Sequence, residues 1–191
     1  MICLAGNFPA LQIANQQVAG YDASWIDEAL ARAAIASNRQ DFPFIDEIRD
    51  GIIHYLENRC PLRVFALEDL FERMRVMLRK IGCQAIADHL TPLAPPVTVS
   101  LVKSAREAGN GYELVFFKIL SEEIDALKLA GAETIRFRDL DECVALLTSD
   151  QRSRRRQKVG EQLKAEIIAF LKRFHKQALT AERKLTLTLD L

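Results

Sequence analysis

The sequence lacks the features of a zinc protein, a disulfide-rich secreted protein or a membrane protein. It has only four cysteines, Cys3, Cys60, Cys83 and Cys143, which are widely scattered and form no CxxC pair. Zinc ribbons and fingers need closely spaced cysteine and histidine ligands, so this scatter argues against them and favours reduced thiols in the cytoplasm. The start of the chain has no basic n-region, and no apolar run approaches the roughly 20 residues that cross a bilayer. We therefore expect a cytoplasmic protein with no metal site and no membrane segment.

Net charge and catalytic motifs are also missing. Lys+Arg and Asp+Glu each number 26, so the whole molecule creates no field that would hold it to nucleic acid or to a membrane surface. Neither GxGxxG nor GxxxxGK[ST] occurs, which argues against dinucleotide and P-loop phosphate chemistry. The three histidines, His54, His89 and His175, are isolated along the chain. No set of residues specifies a reaction, and we expect a non-catalytic protein.

The first 92 residues have the apolar periodicity of helices. Apolar residues recur every three or four positions from Ile26 to Ala34, a spacing that places them on one helical face. Pro43 suits the first turn of a helix, and Gly82 suits a C-terminal cap. The predicted elements are an extended or hairpin segment at Leu11–Val18 and four helices, at Trp25–Ser37, at Phe44–Asn58, within residues 64–82 and at Cys83–His89.

A proline-rich segment, TPLAPPV at residues 91–97, separates two parts of the sequence that differ in the spacing of their apolar residues. Three prolines in a short span resist both helix and central strand, which predicts a linker. Beyond it, VTVSLV (97–102) and YELVFFKIL (112–120) are predicted to be strands around a turn at residues 109–111. The other predicted elements are a helix from Ser121 to Gly131, a strand at 133–139, helices at Leu140–Leu147 and Val159–Ala178, and an alternating strand at 185–191. Together these elements predict an α+β fold.

The start of the first helix is marked twice, in the stretch NQQVAGYDASWI at residues 15–26. Asp22 can accept a hydrogen bond from a backbone N–H of the first turn, and Ser24 with Asp27 three positions on has the spacing of a capping box. A polar turn that contains Gly20 leads into this start. The stretch predicts either a well-capped helix alone or the mouth of a small-molecule site.

Read as a unit, residues 10–92 resemble the ATP-cone, a small β-hairpin over a bundle of helices that binds ATP or dATP as a regulatory signal in ribonucleotide reductases and in the repressor of their genes. Three residues match its helix-start pattern F-D-x-x-K-[IL]: Tyr21, Asp22 and Ile26. Three more echo the end of its third helix and the helix that follows: Leu78, Gly82 and Ala87. The expected organisation is an ATP-cone-like helical domain at 1–92 and a smaller α+β domain with a long C-terminal helix at 97–191. The resemblance implies ATP or dATP as a ligand.

The cations of the family's phosphate-binding motif, V-x-K-R-[DN]-G, are replaced in this chain. The equivalent residues are Leu11, Gln12, Ile13, Ala14, Asn15 and Gln16, and Trp25 stands where a lysine is expected. A triphosphate pocket that loses three cations loses its main attraction, since each charge-assisted hydrogen bond contributes roughly 1.5–3 kcal/mol. The candidate nucleotide-binding residues are Asn15, Gln16, Tyr21 and Trp25. Trp25 has two interpretations, a base-stacking platform or a staple into the core.

A basic run at residues 152–158 is the other candidate site. Its cations are Arg152, Arg154, Arg155, Arg156 and Lys158. They could contact nucleic-acid phosphates in a salt-dependent way. They also suit a solvated loop or a first helical turn, since no aromatic partner or DNA-binding motif accompanies them. Further upstream, Arg136 and Arg138 are predicted to share the polar face of a strand, opposite Ile135 and Phe137.

Three hypotheses about function follow from these patterns. The first is a regulatory protein whose degenerate ATP-cone-like domain senses a nucleotide or a related small ligand. The second is a nucleic-acid-binding protein that uses the arginine run. The third is a homo-oligomeric interaction module in which the long C-terminal helix or the alternating strand pairs with a second copy, since an exposed edge strand invites pairing.

Overall fold

The computed structural model describes residues 8–109, 112–149, 153–179 and 185–190. The chain divides into two compact units. The first comprises the chain up to Pro95 together with Ala130–Ala132, and the second comprises Pro96–Leu129 and Glu133–Leu191. Both units combine helices with a three-stranded sheet, so the predicted α+β class is confirmed.

A mixed sheet opens the first unit. Strands β1 (Ala10–Ile13) and β2 (Gln16–Val18) form an antiparallel hairpin, and β3 (Val64–Ala66) pairs parallel with β1. Leu11 and Ile13 of β1 are fully buried and anchor the hairpin to the core. The hairpin is one of the two forms predicted for this segment. The sequence does not predict β3, because three residues that run directly into a helix carry too little period-two alternation to be recognised.

Four helices follow the hairpin in the predicted order. They are α1 (Ser24–Ala36), α2 (Ile45–Asn58), α3 (Leu67–Lys80) and α4 (Gln84–His89). Each helix buries apolar residues, and α3 places Leu70, Met74 and Leu78 in the core. Regular spacing therefore identifies all four helices from the sequence, because each apolar face meets the core of the same unit.

The proline-rich segment is packed against the first unit. Leu93, Ala94 and Pro95 are buried, and the Ala94 N–H donates to the Gly131 carbonyl at 2.9 Å. Gly131 has a φ of +90°, and a Cβ built there would lie 2.6 Å from the carbonyl oxygen of Pro92. Only glycine fits this close approach without strain. The boundary between the two units falls inside this segment, between Pro95 and Pro96. Residues 93–95 are buried in the first unit, which the proline content does not indicate.

The second unit contains an all-parallel sheet. Its strands are β4 (Val97–Ser100), β5 (Thr134–Arg138) and β6 (Thr186–Leu189), and β5 lies between the other two. One face is apolar, and four of its residues are buried: Val97, Val99, Ile135 and Phe137. Arg136 and Arg138 are exposed on the opposite face, which confirms the alternation predicted for β5. The predicted half-exposed strand at the end of the chain is β6.

Four helices alternate with these strands along the chain, two between β4 and β5 and two between β5 and β6. They are α5 (Leu101–Ala108), α6 (Glu113–Leu129), α7 (Leu140–Leu147) and α8 (Ser153–Leu179). The bounds of α7 are those predicted, whereas α8 begins six residues before the predicted Val159. Within the described ranges, no helix combines the length and apolar composition that crossing a bilayer requires.

The prediction of a strand at residues 112–120 is wrong. This segment forms the first half of α6, which continues without a break to Leu129. Phe116, Leu120 and Ile124 recur at every fourth position and are fully buried, so the helical period decides the structure in spite of the strand-favouring composition. The predicted strand at 97–102 likewise ends at Ser100, where α5 takes over. Of the predicted turn, Asn110 and Gly111 lie outside the described residues.

Candidate functional site

Asp22 lies one residue before Ala23, the N-cap of the first helix, and its side chain binds Ser24, the first helical residue. Its Oδ1 accepts the Ser24 backbone N–H at 2.9 Å and the Ser24 hydroxyl at 2.5 Å. These bonds, the hydroxyl bond first, hold the pKa of Asp22 below its ordinary value. The expected capping box between Ser24 and Asp27 does not form, because the Ser24 backbone N–H that it requires donates to Asp22. Asp27 Oδ2 accepts instead from Arg49 Nη1 of α2 at 3.2 Å. The predicted bond between Asp22 and the first turn is present, and Asp27 ties α1 to α2.

Aromatic rings fill the space beside this helix start. Tyr21 stacks on Phe8 with ring centroids 5.4 Å apart and donates its hydroxyl to the Pro9 carbonyl at 2.8 Å. Burial raises the pKa of Tyr21 to about 12. Trp25 lies edge-on to Tyr21 at 6.1 Å and contacts Phe71 of α3 at 6.0 Å, and only 3% of its surface is exposed. Trp25 is therefore packed in the manner of a staple into the core.

The other two candidate nucleotide-binding residues lie at the hairpin turn. Asn15 is exposed in the turn itself, and Gln16 is half-buried at the start of β2, opposite Ile13. Ile13 holds a position where the resemblance would place a cation, and it is fully buried. Of the four candidates, the structure brings Tyr21 and Trp25 into contact with each other. Phe8 packs against Tyr21, and Phe71 packs against Trp25.

A groove of about 280 Å³ lies between α2 and α3. Five of its lining residues are glycine or apolar: Gly51, Ile52, Leu70, Met74 and Met77. The remaining two are Tyr55 and Arg73. A mostly apolar cleft with a few converging polar groups is the usual form of a small-ligand site. Among the described residues, this groove is therefore a candidate ligand site of the first unit.

Two aromatic residues hold Arg73 beside the groove. Its Nη1 donates to the Tyr55 hydroxyl at 2.8 Å. Its guanidinium carbon lies 5.2 Å from the ring centroid of Phe65 and 6.0 Å from that of Tyr55. Cation–π contacts and a neutral hydroxyl orient the guanidinium without neutralising its charge. Arg73 is thus a positioned cation with donors left for an anion.

The charge of Arg73 is unusual in its surroundings. Helices α1, α2 and α3 carry five arginines, and four of them contact a carboxylate: Arg32, Arg49, Arg75 and Arg79. Among the described residues, no carboxylate oxygen lies within 4.0 Å of Arg73, although Asp69 stands one helical turn before it. The i,i+4 spacing alone would predict an Asp69–Arg73 pair. The fold instead directs Arg73 to Tyr55.

A second, more open depression of about 460 Å³ adjoins the groove, and Arg73 and Met77 line both. Val76 and Ile81 also line it, and they are 41% and 55% exposed. Glu72 and Lys80 complete this lining. Glu72 pairs with Arg75 at 3.0 Å, whereas Lys80 has no carboxylate partner within 4.0 Å in the described part of the chain. Among the described residues, the outer face of α3 therefore combines apolar surface with two cations, Arg73 and Lys80, that contact no carboxylate.

The basic run lies at the start of α8. Arg154, Arg155 and Arg156 belong to the first turn of this helix, which contains no acidic residue, and Lys158 follows as an exposed residue. Arg152 lies outside the described residues. For a solvated run the sequence allows a loop or a first helical turn, and the backbone from Ser153 onward forms the helical turn.

Within the described residues, the cysteines and histidines form no common site. Cys60, Cys83 and Cys143 are free thiols, and burial raises the pKa of Cys143 to about 12, which keeps it protonated and unreactive. Over the ranges that the structure describes, no group of three or more His, Cys, Asp or Glu side chains is arranged to hold a metal ion. His175 Nδ1 accepts the Leu187 N–H of β6 at 3.4 Å, a structural contact.

Comparison with protein-family models, with curated proteins and with solved structures found no match.

Proposed function

We propose that this chain is a non-catalytic regulatory protein whose ATP-cone-like first unit senses a small anionic ligand with an aromatic or apolar body. ATP and dATP are the ligands that the resemblance suggests. The observation that carries the proposal is Arg73, an unpaired guanidinium held by Tyr55 and Phe65 beside an apolar groove. The order of the elements, a hairpin followed by four helices, agrees with the resemblance.

The groove suits the two halves of such a ligand. Its apolar wall would receive a ring, and the sulfurs of Met74 and Met77 make favourable contacts with aromatic rings. Arg73 would bind a phosphate or carboxylate through two N–H groups, a geometry that a guanidinium fork offers and an ammonium does not. Lys80 would attract further negative charge from the adjoining depression. Recognition at this place, between α2 and α3, differs from the site at the hairpin that the resemblance implies.

The test is thermal unfolding of the full chain with ATP, dATP, ADP or adenosine at millimolar concentration. A ligand that binds only the native state stabilises it by RT ln(1 + [L]/Kd). We therefore expect the three phosphorylated ligands, which Arg73 would bind, to raise the unfolding temperature more than adenosine does. Arg73→Gln should abolish the difference between ATP and adenosine. Arg79→Gln is the matched control, since Arg79 lies on the same helix but pairs with Asp88.

A second variant separates binding from stability. Gly51 lines the groove in the middle of α2, and a Cβ built there meets no atom within 4 Å. Gly51→Leu should fill the groove with side chain and also stabilise the helix by about 0.5–1 kcal/mol. We expect this variant to unfold at a higher temperature and to lose its response to ATP. A wild-type chain that shows no shift with any of the four ligands would rule out sensing at this groove.

Nucleic-acid binding through the arginine run is the second candidate function. The observation that favours it is the absence of any acidic residue from the first turn of α8, where the run and the positive end of the helix dipole coincide. Filter binding of a labelled oligonucleotide at two salt concentrations would test it. Binding at low salt that weakens steeply at higher salt is expected, and no binding at low salt would end this candidate.

A further inference from the structure

One face of the parallel sheet in the second unit is open, which is unusual for a parallel sheet. Parallel sheets are almost always covered on both faces, because their crossover connections place helices there. In this sheet the strand residues opposite the buried face are exposed or half-exposed. They are Thr98, Ser100, Thr134, Arg136, Arg138, Thr186 and Thr188. We refer to these seven residues as the threonine–arginine face.

The face consists entirely of hydroxyl and guanidinium groups. The strand register places Thr98 and Thr188 on either side of Arg136, and it places Ser100 beside Arg138. Neighbouring strands lie about 4.8 Å apart, so the three side chains centred on Arg136 form a compact row across the sheet. No carboxylate and no apolar side chain belongs to the seven positions.

Arg136 is the free cation of this face. In the portion of the chain that the structure describes, no carboxylate lies within 4.0 Å of it. Arg138 differs, because its Nε contacts Asp139 Oδ2 at 3.4 Å, and the same carboxylate oxygen accepts the Ser100 hydroxyl at 2.5 Å. The exposed Asp190 follows the end of β6 on the same side. Positive charge is therefore concentrated at Arg136, between two hydroxyls, and is partly neutralised at Arg138.

We infer that the threonine–arginine face binds the phosphate backbone of a nucleic-acid strand. Arginine, threonine and serine are among the side chains that contact phosphate oxygens in nucleic-acid complexes, whereas carboxylates repel them. Arg136 and Arg138 stand two residues apart, about 6.6 Å along the strand, a separation that suits successive phosphates. Because phosphate contacts carry no sequence information, binding through this face is independent of sequence.

The shape and chemistry of the face favour this ligand over others. A small phosphorylated molecule needs a concave site that encloses most of its surface, and the three strands form an open platform. A protein partner would need an apolar centre, and insertion into a membrane would need apolar or aromatic side chains. A long polyanion can instead make several weak contacts at once. A shallow polar face with one cation that contacts no described carboxylate offers contacts of this kind.

The experiment measures fluorescence anisotropy of a labelled 16-nucleotide single strand of mixed sequence, as DNA and as RNA, with the full chain over a range of salt concentrations. We expect Arg136→Gln to weaken binding by roughly five- to tenfold at low salt. It should also reduce the slope of log K against log salt by about 0.7, the value for one phosphate contact of a single strand. Thr98→Val combined with Thr188→Val keeps the shape and strand preference of the face, and it should weaken binding without changing the slope.

Arg106→Gln is the matched control, because Arg106 is also exposed, belongs to the second unit and has no carboxylate partner among the described residues. A second arm replaces Arg154, Arg155 and Arg156 by glutamine. The inference is overturned if the wild-type chain does not bind at low salt, if Arg106→Gln has the same effect as Arg136→Gln, or if only the triple variant loses binding. In that last case the arginine run remains the nucleic-acid site. Binding to phosphatidylserine vesicles in place of the oligonucleotides would also overturn it.

Discussion

At the scale of single residues, the site depends on partners that are distant in the sequence. Arg73 is 18 residues from Tyr55, to which it donates. The sequence around Arg73 indicates an ordinary surface pair with Asp69, and nothing local marks it as different. The methionines at 74 and 77 and the helical Gly51 are the only signals that could have drawn attention to the groove, and each is common in cores and helices.

Asp22 is the residue for which sequence and structure agree most closely. Its folded-state pKa is lowered by the Ser24 bonds, so its carboxylate stabilises the fold above the ordinary aspartate pKa of about 4 and loses this effect as the pH falls through the lowered value. We expect Asp22→Ala to lower the free energy of unfolding at pH 7 by about 0.5–1 kcal/mol, the cost of an exposed cap.

Urea unfolding of the Asp22→Ala variant at pH 7 and at pH 3 would check this prediction. The difference from wild type should shrink at pH 3, where the carboxylate is increasingly protonated. Asp41→Ala is a suitable control, because Asp41 is exposed and makes no ion pair within the described residues. A difference that stays constant between the two pH values would show that the charge of Asp22 does not contribute.

At the scale of elements, the helical spacing of apolar residues predicted the helix bounds wherever the amino-acid composition did not favour a strand. Helices α1, α2, α4 and α7 lie within one residue of their predicted bounds. The segment YELVFFKIL shows the opposite case, since its aromatic and β-branched residues favour a strand while its fourfold spacing requires a helix. The spacing prevails because Phe116 and Leu120 continue the stripe of Ile124, and one unbroken helix buries all three.

The contact of Gly131 with the proline-rich segment gives a sharp test at this scale. Gly131→Ala should lower the free energy of unfolding by at least about 1–2 kcal/mol, the cost of a left-handed alanine. The approach of Cβ to the Pro92 carbonyl adds to this cost. Gly51→Ala is the control, since it lies in a helix with open space around it and should stabilise the chain by about 0.5–1 kcal/mol. Equal effects of the two substitutions in chemical denaturation would contradict the packing seen at Gly131.

At the scale of the whole molecule, the first unit is completed by residues from later in the chain. Ala130–Ala132 belong to this unit although they follow α6 of the second. A boundary drawn at the prolines would leave them out, because proline content reports local backbone preference and not what a segment packs against.

A fragment that ends at Pro95 would therefore lack part of its own unit. We expect the amide of Ala94 to exchange with solvent slowly in the full chain, where it donates to Gly131, and rapidly in the fragment. Hydrogen exchange followed by NMR would measure this. The amide of Cys83, which donates to the Leu78 carbonyl at 2.8 Å, should stay protected in both and report that the fragment is folded. Equal protection of Ala94 in the two proteins would contradict the assignment of residues 130–132 to the first unit.

Local chemistry specified the α+β class, the hairpin, the four-helix order, the Asp22 cap and the alternation of β5. These features depend on neighbours along the chain, whose spacing is visible in the sequence. Other features depend on which elements meet in space. They are the burial of Trp25, the bond of Arg73 to Tyr55 in place of Asp69, the long helix α6 and the open threonine–arginine face. Sequence spacing does not contain that information, because the free energy that decides each of them comes from contacts between residues that are far apart in the chain.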